Sequence, residues 1–146
     1  MSIREYKSAD FERIVEIYNL SKSDEFSGEA SVFDVIPLTE DKQMLTLFEE
    51  SKIFVYEEGS IFGFAGHKEN YISWLFVHPD HRGNKIGQLL ISHILSKLSG
   101  IVALNVAHSN LAAKKLYRNL GFTVKKEYEG KYQNKRIMVN RMECEI

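Results

Sequence analysis

The spacing of apolar residues divides the chain into a helical first part and a strand-rich remainder. After a short strand candidate at 3–6, apolar positions recur every three or four residues, which is the period of an amphipathic helix. The first predicted helix begins after Ser8 or Asp10, either of which could cap it. Its apolar face consists of Phe11, Ile14, Val15, Ile17 and Tyr18. Thr39 is the expected N-cap of a second helix, whose apolar residues are Met44, Leu45, Leu47 and Phe48.

From residue 52 the period changes to that of β-strands, and the segments 52–57 and 61–67 predict a hairpin around the turn at 58–60. The later predicted elements are a strand at 71–77, a helix at about 84–98 closed by Gly100, a strand at 101–106, a helix at about 110–120 closed by Gly121, and strands at about 122–129 and 135–142. The order β-α-α-β-β-β-α-β-α-β-β predicts an α/β (α+β) fold. Its mixed, largely antiparallel central sheet would have about seven strands and about four flanking helices, with one parallel crossover.

Length and charge narrow the class of protein. A chain of 146 residues can bury a core in one domain, 1–146, without metal or disulfide help. The net charge of −1 argues against a nucleic-acid partner, because affinity for a phosphate backbone needs clustered Lys and Arg. Cys144 is the single cysteine, which excludes an internal disulfide and fits a reducing compartment. There is no signal-peptide core and no apolar stretch near the roughly 18 residues of a membrane span, so we expect a cytoplasmic protein without a membrane partner.

The stretch VHPDHRGNKIGQLL, residues 77–90, leads from a predicted strand into a predicted helix through a loop with two glycines. Such a loop lets a phosphate approach the free N–H groups at a helix N-terminus, where the helix dipole is positive. Arg82 can add a planar fork of donors. The spacing of Gly83 and Gly87 fits neither a Walker loop nor a dinucleotide fingerprint. The alternative is a turn that only brings helix and sheet into close contact.

A second candidate lies in the helix predicted at about 110–120. Asn110 and Tyr117 are seven residues apart, about two helical turns, so their side chains share one face. That face begins where the strand at 101–106 ends, and α/β proteins place ligands at strand ends. Tyr117 could donate its phenolic proton to a ligand bound there. The alternative is that Tyr117 packs in the core and that Asn110 merely caps the helix.

Taken together, the two stretches resemble the GNAT superfamily of acetyl-CoA-dependent N-acetyltransferases. The resemblance covers the whole chain in element order and is strongest from Trp74 to Phe122. Arg82 to Gly87 matches the pyrophosphate motif Q/R-x-x-G-x-G/A, except that Lys85 replaces its middle glycine. The pattern N-x-x-A-x-x-x-Y-x-x-x-G-F is met by Asn110, Ala113, Tyr117, Gly121 and Phe122. If position 85 needs a positive φ, lysine costs of order 1 kcal/mol there. In a helix-initiating conformation it would cost nothing, and its ammonium could meet a phosphate.

The resemblance implies a GNAT-like fold, acetyl-CoA as co-substrate and no metal. It implies that the pantetheine arm pairs with the strand before the loop, that the pyrophosphate lies on the loop N–H groups, and that the thioester lies where the strands at 71–77 and 101–106 splay apart. An amine would attack directly, and Tyr117 would be the general acid that protonates the departing thiolate. The implied cofactor-binding residues are Leu75, Phe76, Val77, Arg82, Gly83, Asn84, Lys85, Ile86, Gly87, Asn110 and Tyr117.

The acceptor half of the site is less specific. The candidates for a general base are His67, Glu69, His108 and water. Residues 21–41 carry six acidic side chains against the single basic residue Lys22, a field that would favour a cationic amine. The alternative is a solvated acidic loop.

We therefore expect a small-molecule or peptide amine as the acceptor, and a homodimer formed through the sheet edge or the C-terminal strands. A non-catalytic acyl-CoA-binding or regulatory module of the same fold is the first alternative function. An unrelated nucleotide-phosphate binder is the second.

Overall fold

A computed structural model describes residues 2–146, so Met1 of the predicted domain lies outside the described residues. Within this range the chain forms seven strands and four α-helices in the predicted order. In chain order they are β1 (Ser2–Glu5), α1 (Phe11–Ser21), α2 (Lys42–Glu50), β2 (Lys52–Glu58), β3 (Ser60–Lys68), β4 (Tyr71–Val77), α3 (Ile86–Leu95), β5 (Ile101–Ala107), α4 (Leu111–Asn119), β6 (Thr123–Tyr132) and β7 (Lys135–Glu145).

The strands form one sheet in the order β1-β2-β3-β4-β5-β7-β6. All neighbouring strands run antiparallel except β4 and β5, which run parallel because α3 carries the chain from one to the other. The predicted fold class is therefore confirmed. The parallel pair meets only at Tyr71 and Ala103, so the sheet opens beyond this point.

Two apolar cores pack on opposite faces of the sheet. One contains Ile14, Ile17 and Tyr18 of α1 together with Trp74 and Phe76 of β4. On the other face the buried residues of α3 pack against β5 and against the end of α4, with Leu75 and Val77 of β4 at the margin. Side chains therefore alternate along β4, as a strand buried on both faces requires. No helix among residues 2–146 has the length and hydrophobicity that crossing a membrane requires.

Helix boundaries differ from the predicted ones at two places. The N-cap of α2 is Asp41, whose Oδ1 accepts a hydrogen bond from the Met44 N–H at 3.2 Å, so the prediction of Thr39 was wrong. Thr39 lies two residues earlier, in a short 3₁₀ helix. The helix predicted at about 84–98 begins at Ile86 because Lys85 has φ 61° and cannot continue a right-handed helix, and it ends at Leu95. The closing position of Gly121 after α4, with φ 98°, is confirmed.

The carboxylate of Asp10 ties β1 to the start of α1. Its two oxygens accept hydrogen bonds from the Arg4 guanidinium at 2.8 and 2.9 Å, and one also accepts from the Lys7 N–H at 2.8 Å. Asp10 occupies the N-cap position of α1, but its side chain makes no capping hydrogen bond there. The hydrogen bonds from Arg4 hold the pKa of Asp10 below its usual value.

We expect Asp10→Asn to lower the free energy of unfolding by about 1–3 kcal/mol at pH 7. Because the folded-state pKa is lowered, the carboxylate stabilises the fold above its unfolded pKa of about 4, and this contribution disappears as pH falls through the lowered value. Denaturant unfolding of wild type and Asp10→Asn at pH 7 and at pH 3 measures the difference in the free energy of unfolding at each pH. The matched control is Glu12→Gln, which removes an exposed carboxylate from the first turn of α1. A difference between the two variants that persists at low pH would contradict this account.

Candidate active site

The opening between β4 and β5 leaves main-chain groups of both strands without a ladder partner. His78 N donates to Phe62 O at 2.8 Å, so by antiparallel alternation Phe76 pairs with β3, whereas the N–H and C=O groups of Leu75 and Val77 point toward β5. On the other wall, Ala103 N donates to Asn70 O at 2.9 Å, and the same alternation turns the main chain of Asn105 toward the gap. An extended chain with amide groups could therefore pair with either wall.

Two connected spaces occupy this region. The outer cleft, of about 800 Å³, extends from Leu75 and Val77 over the loop at 82–87 to α4. The inner cavity, of about 230 Å³, lies deeper in the gap and is lined by Ser73, Asn105 and Tyr117 among others. Residues lining both spaces are Glu25, Leu75, Phe76, Asn110 and Ala113.

The loop before α3 presents a run of free amides. The first α3 hydrogen bond from a main-chain N–H is that of Leu89 to Lys85 O at 3.0 Å, and none of the N–H groups of residues 82–88 has an acceptor within residues 2–146. All belong to the outer cleft or its rim, at the positive end of the α3 dipole. Such a set of donors is suited to a bound phosphate.

Gly83, Lys85 and Gly87 shape this loop in different ways. Gly83 has φ 81°, and a Cβ there would meet nothing within 4 Å, so glycine is needed for its backbone conformation. Gly87 has ordinary helical geometry, but a Cβ would lie 3.0 Å from Leu116, so it permits α3 to approach α4. Lys85 has φ 61°, which is the costlier of the two conformations considered from the sequence, of order 1 kcal/mol for a lysine.

Arg82 forms an ion pair with Asp24, which follows α1. Its Nη2 also lies 3.4 Å from Val77 O, and this carbonyl accepts a second hydrogen bond from the Ser21 hydroxyl at 3.1 Å. The guanidinium therefore lies at the junction between the free edge of β4 and the loop amides. A negatively charged ligand in the outer cleft would compete with Asp24 for it.

Asn110 is the N-cap of α4 and Tyr117 lies within the helix, and both border the inner cavity. The alternative is also met in part, because Asn110 caps the helix and the ring of Tyr117 packs in the core against Phe122. Asn110 caps α4 by accepting a hydrogen bond from Ala113 N at 3.3 Å, and its side chain borders both spaces. Tyr117 is 8% exposed, lines the inner cavity and makes no side-chain hydrogen bond with another described residue. Burial raises the pKa of Tyr117, and the negative charge of Glu25 raises it further. The phenol therefore keeps its proton at neutral pH.

None of the three side chains considered as a general base lines either space within the described chain. His67 Nδ1 lies 2.8 Å from Glu69 O, and its ring packs parallel to Phe54. His108 Nδ1 lies 2.9 Å from Asn140 Oδ1. The carboxylate at the junction of the two spaces is Glu25, which the sequence marked only as one of several acidic residues in 21–41.

The acidic side chains of segment 21–41 are mostly engaged within the protein. Asp24 pairs with Arg82, Glu25 with Lys22 at 2.8 Å, and Glu29 accepts a hydrogen bond from the Ser109 hydroxyl. Their charges are therefore compensated or satisfied locally, which favours the alternative of an ordinary acidic loop over an attracting field.

The same segment lies over the gap between β4 and β5. We call residues 22–36 the strap. Its backbone at Asp34 exchanges two hydrogen bonds with the Gln133 side chain, at 2.9 and 2.6 Å, and Phe26 stacks on Tyr132 with ring centroids 4.7 Å apart. The strap thus contacts the β6–β7 turn and contributes Lys22, Glu25 and Phe26 to the lining of the inner cavity.

A family model described as an acetyltransferase (GNAT) domain matches residues 49–124, the stretch that contains β4, the loop at 82–87 and α4. The chain belongs to the GNAT acetyltransferase family. The match includes both motifs on which the resemblance was based, and the recognition made from the sequence is confirmed.

Two relatives of this GNAT domain carry acyltransferase names. The L-amino acid N-acyltransferase MnaT of Escherichia coli strain K12 is 26% identical over 143 residues, covering 85% of this chain and 80% of that protein. The peptidyl-lysine N-acetyltransferase YjaB of Salmonella typhimurium is 32% identical over 72 residues, covering 49% of each chain. A third match, human cysteine-rich protein 2-binding protein, is 35% identical over 64% of this chain but only 12% of that protein. The chain thus spans half or less of the length of the last two.

Solved structures share the fold of this GNAT domain. The structure of yncA of Salmonella typhimurium with its cofactor acetyl-CoA superposes with a TM-score of 0.76 at 21% identity, covering 99% of this chain and 93% of that one. At this identity the likeness establishes the fold alone.

Proposed function

We propose that this GNAT domain, as a single domain over 1–146, transfers the acetyl group of acetyl-CoA directly to a primary amine. The observation that carries the proposal is the run of free amides at 82–88, which lies beside the unpaired edge of β4 and opens toward the buried phenol of Tyr117. Each part matches a different portion of one ligand: a pyrophosphate, an amide-containing arm and a thioester.

The cofactor end of the site fits the charged portion of acetyl-CoA. The N–H groups from Arg82 to Gly87 would bind the pyrophosphate, with Arg82 leaving Asp24 to donate to a phosphate oxygen. The left-handed conformations at Gly83 and Lys85 turn successive N–H groups toward the outer cleft. Lys85 and Lys115 line this cleft too and would add positive charge.

The arm of the cofactor fits the free strand edge. The main-chain groups of Leu75 and Val77 would pair with the pantetheine amides, while Phe76 contributes its side chain to the wall. Asn110 would approach from the opposite side, because capping engages its Oδ1 and leaves its Nδ2 hydrogens without a partner within residues 2–146. When bound, acetyl-CoA supplies the activated acyl group, and these residues place its thioester beside the inner cavity.

The chemistry assigned to Tyr117 is protonation of the thiolate that leaves when the acceptor amine attacks. A thiol has a pKa of about 8.5, so a phenol with a raised pKa transfers its proton uphill in water. The same burial disfavours a free thiolate, however, which makes the leaving sulfur more basic in this site. The phenol of Tyr117 is thus protonated at neutral pH, and burial raises the pKa of the phenol and of the leaving thiol in the same direction.

The inner cavity limits the acceptor to a slender primary amine. About 230 Å³ under the strap admits an unbranched chain that ends in an amino group, as in a lysine side chain or a small alkylamine. The peptidyl-lysine acceptor in the name of one relative is of this chemical kind, whereas the L-amino acid acceptor in the name of another carries its amine on a branched carbon. Glu25, at the junction of the two spaces, is placed to take the proton from the incoming ammonium.

Acetyl-CoA binding by wild type, Gly83→Ala and Gly59→Ala tests the proposal. Both glycines have positive φ, 81° and 77°, and open space around the missing Cβ, so each alanine should cost about 1 kcal/mol of stability. Gly59 lies in the β2–β3 turn, away from the cleft. Calorimetry should show micromolar binding to wild type and Gly59→Ala, and binding about 10-fold weaker for Gly83→Ala, because its loop amides turn away from the phosphate.

A screen of primary amines for release of free thiol follows on the wild-type protein. Binding of acetyl-CoA without transfer to any amine would favour the non-catalytic module instead. Absence of binding to wild type, or equal weakening by the two alanines, would overturn the assignment of the loop.

A further inference from the structure

The ammonium of Lys22 lies inside a box of four aromatic rings. Its Nζ is 5.6 Å from the ring centroid of Tyr18 and 5.8 Å from those of Phe26, Phe76 and Tyr132. Lys22 is only 8% exposed, and one carboxylate, that of Glu25, lies 2.8 Å from Nζ. Rings around an ammonium attract it through their negative faces, and the attraction grows when water is excluded. We call these four rings the aromatic box.

The aromatic box belongs to the wall of the inner cavity. Lys22, Phe26 and Phe76 line this cavity together with Tyr117, and Glu25 connects it to the outer cleft. Lys22 is the one lysine among the described residues that lines the inner cavity. Lys85 and Lys115 line the outer cleft instead. The Nζ of Lys22 thus occupies the kind of position that an acceptor amine must take.

We propose that Lys22 is itself an acceptor, and that the protein acetylates the Nζ of its own Lys22 when acetyl-CoA is bound. This inference rests on the proposed function, since it needs acetyl-CoA in the outer cleft. Holding nucleophile and thioester in one cavity replaces a bimolecular encounter with an intramolecular one, which is worth a large increase in effective concentration.

The transfer balances with the groups present. The Lys22 ammonium gives one proton to the Glu25 carboxylate at 2.8 Å, and the freed lone pair attacks the thioester carbonyl carbon. A C–N bond forms and the C–S bond breaks, with its electron pair leaving on sulfur. Tyr117 protonates the sulfur, and the nitrogen loses a second proton as it becomes an amide. One of the two protons lost from nitrogen returns to Tyr117 through water, so the net products are N-acetyl-lysine, CoA and one free proton.

Acetylation would change the cavity itself. The amide of acetyl-lysine is neutral, so it loses both the ion pair with Glu25 and the attraction of the aromatic box for a cation. Glu25 and the four rings then become available to the ammonium group of an external acceptor. Lys22 in its charged form would instead oppose a second cation in the same small space.

Isotope-labelled acetyl-CoA, followed by intact-mass measurement and peptide mapping, tests the proposal on the full chain. We expect one labelled acetyl group per molecule at Lys22, formed at least about 10-fold faster than at the exposed Lys42. Excess free CoA should suppress labelling at Lys22 because it competes for the outer cleft, but should leave slow chemical labelling at Lys42 unchanged. The rate at Lys22 should not depend on protein concentration.

Two variants and one binding measurement separate the outcomes. Lys22→Arg keeps the positive charge and should lose the fast label, whereas Lys42→Arg should keep it. If wild type binds acetyl-CoA by calorimetry, or acetylates an external amine, while Lys22 stays unlabelled, the self-acetylation is wrong and the proposed function stands. Labelling of Lys22 that free CoA does not suppress also overturns it. If acetyl-CoA does not bind at all, the proposed function is wrong, and the self-acetylation that depends on it is wrong as well.

Discussion

Reversing the charge at Arg82 should weaken acetyl-CoA binding by about 100-fold or more. Arg82→Glu removes a charge-assisted donor from the junction of β4 and the loop, and it places a carboxylate beside Asp24, where the pyrophosphate would lie. A lost charged hydrogen bond is worth about 1.5–3 kcal/mol, and repulsion between like charges adds to it. Isothermal calorimetry with wild type and variant measures the ratio of dissociation constants.

The control for this reversal is Arg118→Glu, which makes the same change in net charge on the exposed side of α4, outside both spaces. Its effect should be less than about 3-fold at physiological salt, because Arg118 lines neither space and salt weakens the interactions of exposed charges. Asp24→Asn provides a second comparison. It frees Arg82 from its ion pair and should therefore tighten the binding of acetyl-CoA. Equal losses for Arg82→Glu and Arg118→Glu would mean that only overall charge matters.

Removing the phenol of Tyr117 is the second large change. Tyr117→Phe should lower kcat by about 100-fold with little effect on the dissociation constant of acetyl-CoA, because general-acid catalysis typically contributes 10²–10⁴-fold and a thiolate is already a good leaving group. The hydroxyl makes no side-chain hydrogen bond with another described residue, so its loss should cost little stability. Steady-state kinetics with the best amine from the screen measures the effect.

The pH profile adds a check on Tyr117. Since burial raises its pKa, kcat of the wild-type protein should not fall through ionisation of this phenol below about pH 10. Tyr56→Phe is the matched control, because Tyr56 is also a buried tyrosine but lines neither space within the described chain. An unchanged kcat for Tyr117→Phe would remove Tyr117 from the mechanism and leave proton transfer to water.

The sheet and its order of elements followed from local signals in the sequence. Short apolar runs at 52–57 and 61–67, separated by the turn glycine Gly59, define the first hairpin without any knowledge of distant contacts. The end of α4 at Gly121 is equally local, because glycine readily adopts the positive φ observed there. The misplaced cap at Thr39 shows the limit of such signals: Thr39 and Asp41 are both cap-forming residues, and which one caps depends on where the preceding 3₁₀ turn ends.

The candidate site was predictable in one half only. The loop at 82–87 and the pair Asn110 and Tyr117 lie within short stretches whose spacing carries the information, and the structure brings them to one cleft. Lys22 was noted only as a lone basic residue. Its spacing of four from both Tyr18 and Phe26 was a usable local signal for stacking of these side chains on one face.

The rest of the aromatic box could not be found in the same way. Phe76 and Tyr132 belong to β4 and β6, far along the chain from Lys22, and only the folded sheet brings them to α1. The partners of Asp24 and Glu29 are also distant in sequence. The sequence alone therefore indicated an excess of negative charge in residues 21–41 and could not show which carboxylates are paired.

The single bridge between β4 and β5 has a consequence for how the protein opens. Strands β1 to β4 form one set of paired strands and β5 to β7 another, and among the described residues the two sets pair in register only at Tyr71 and Ala103. Side chains of α3 and α4, rather than a continuous ladder, carry most of the mechanical connection between them. Hydrogen exchange should therefore resolve two subglobal openings with separate free energies. A ligand whose amides pair with both free edges would join the two sets of strands. In its presence hydrogen exchange should show one cooperative opening in place of two.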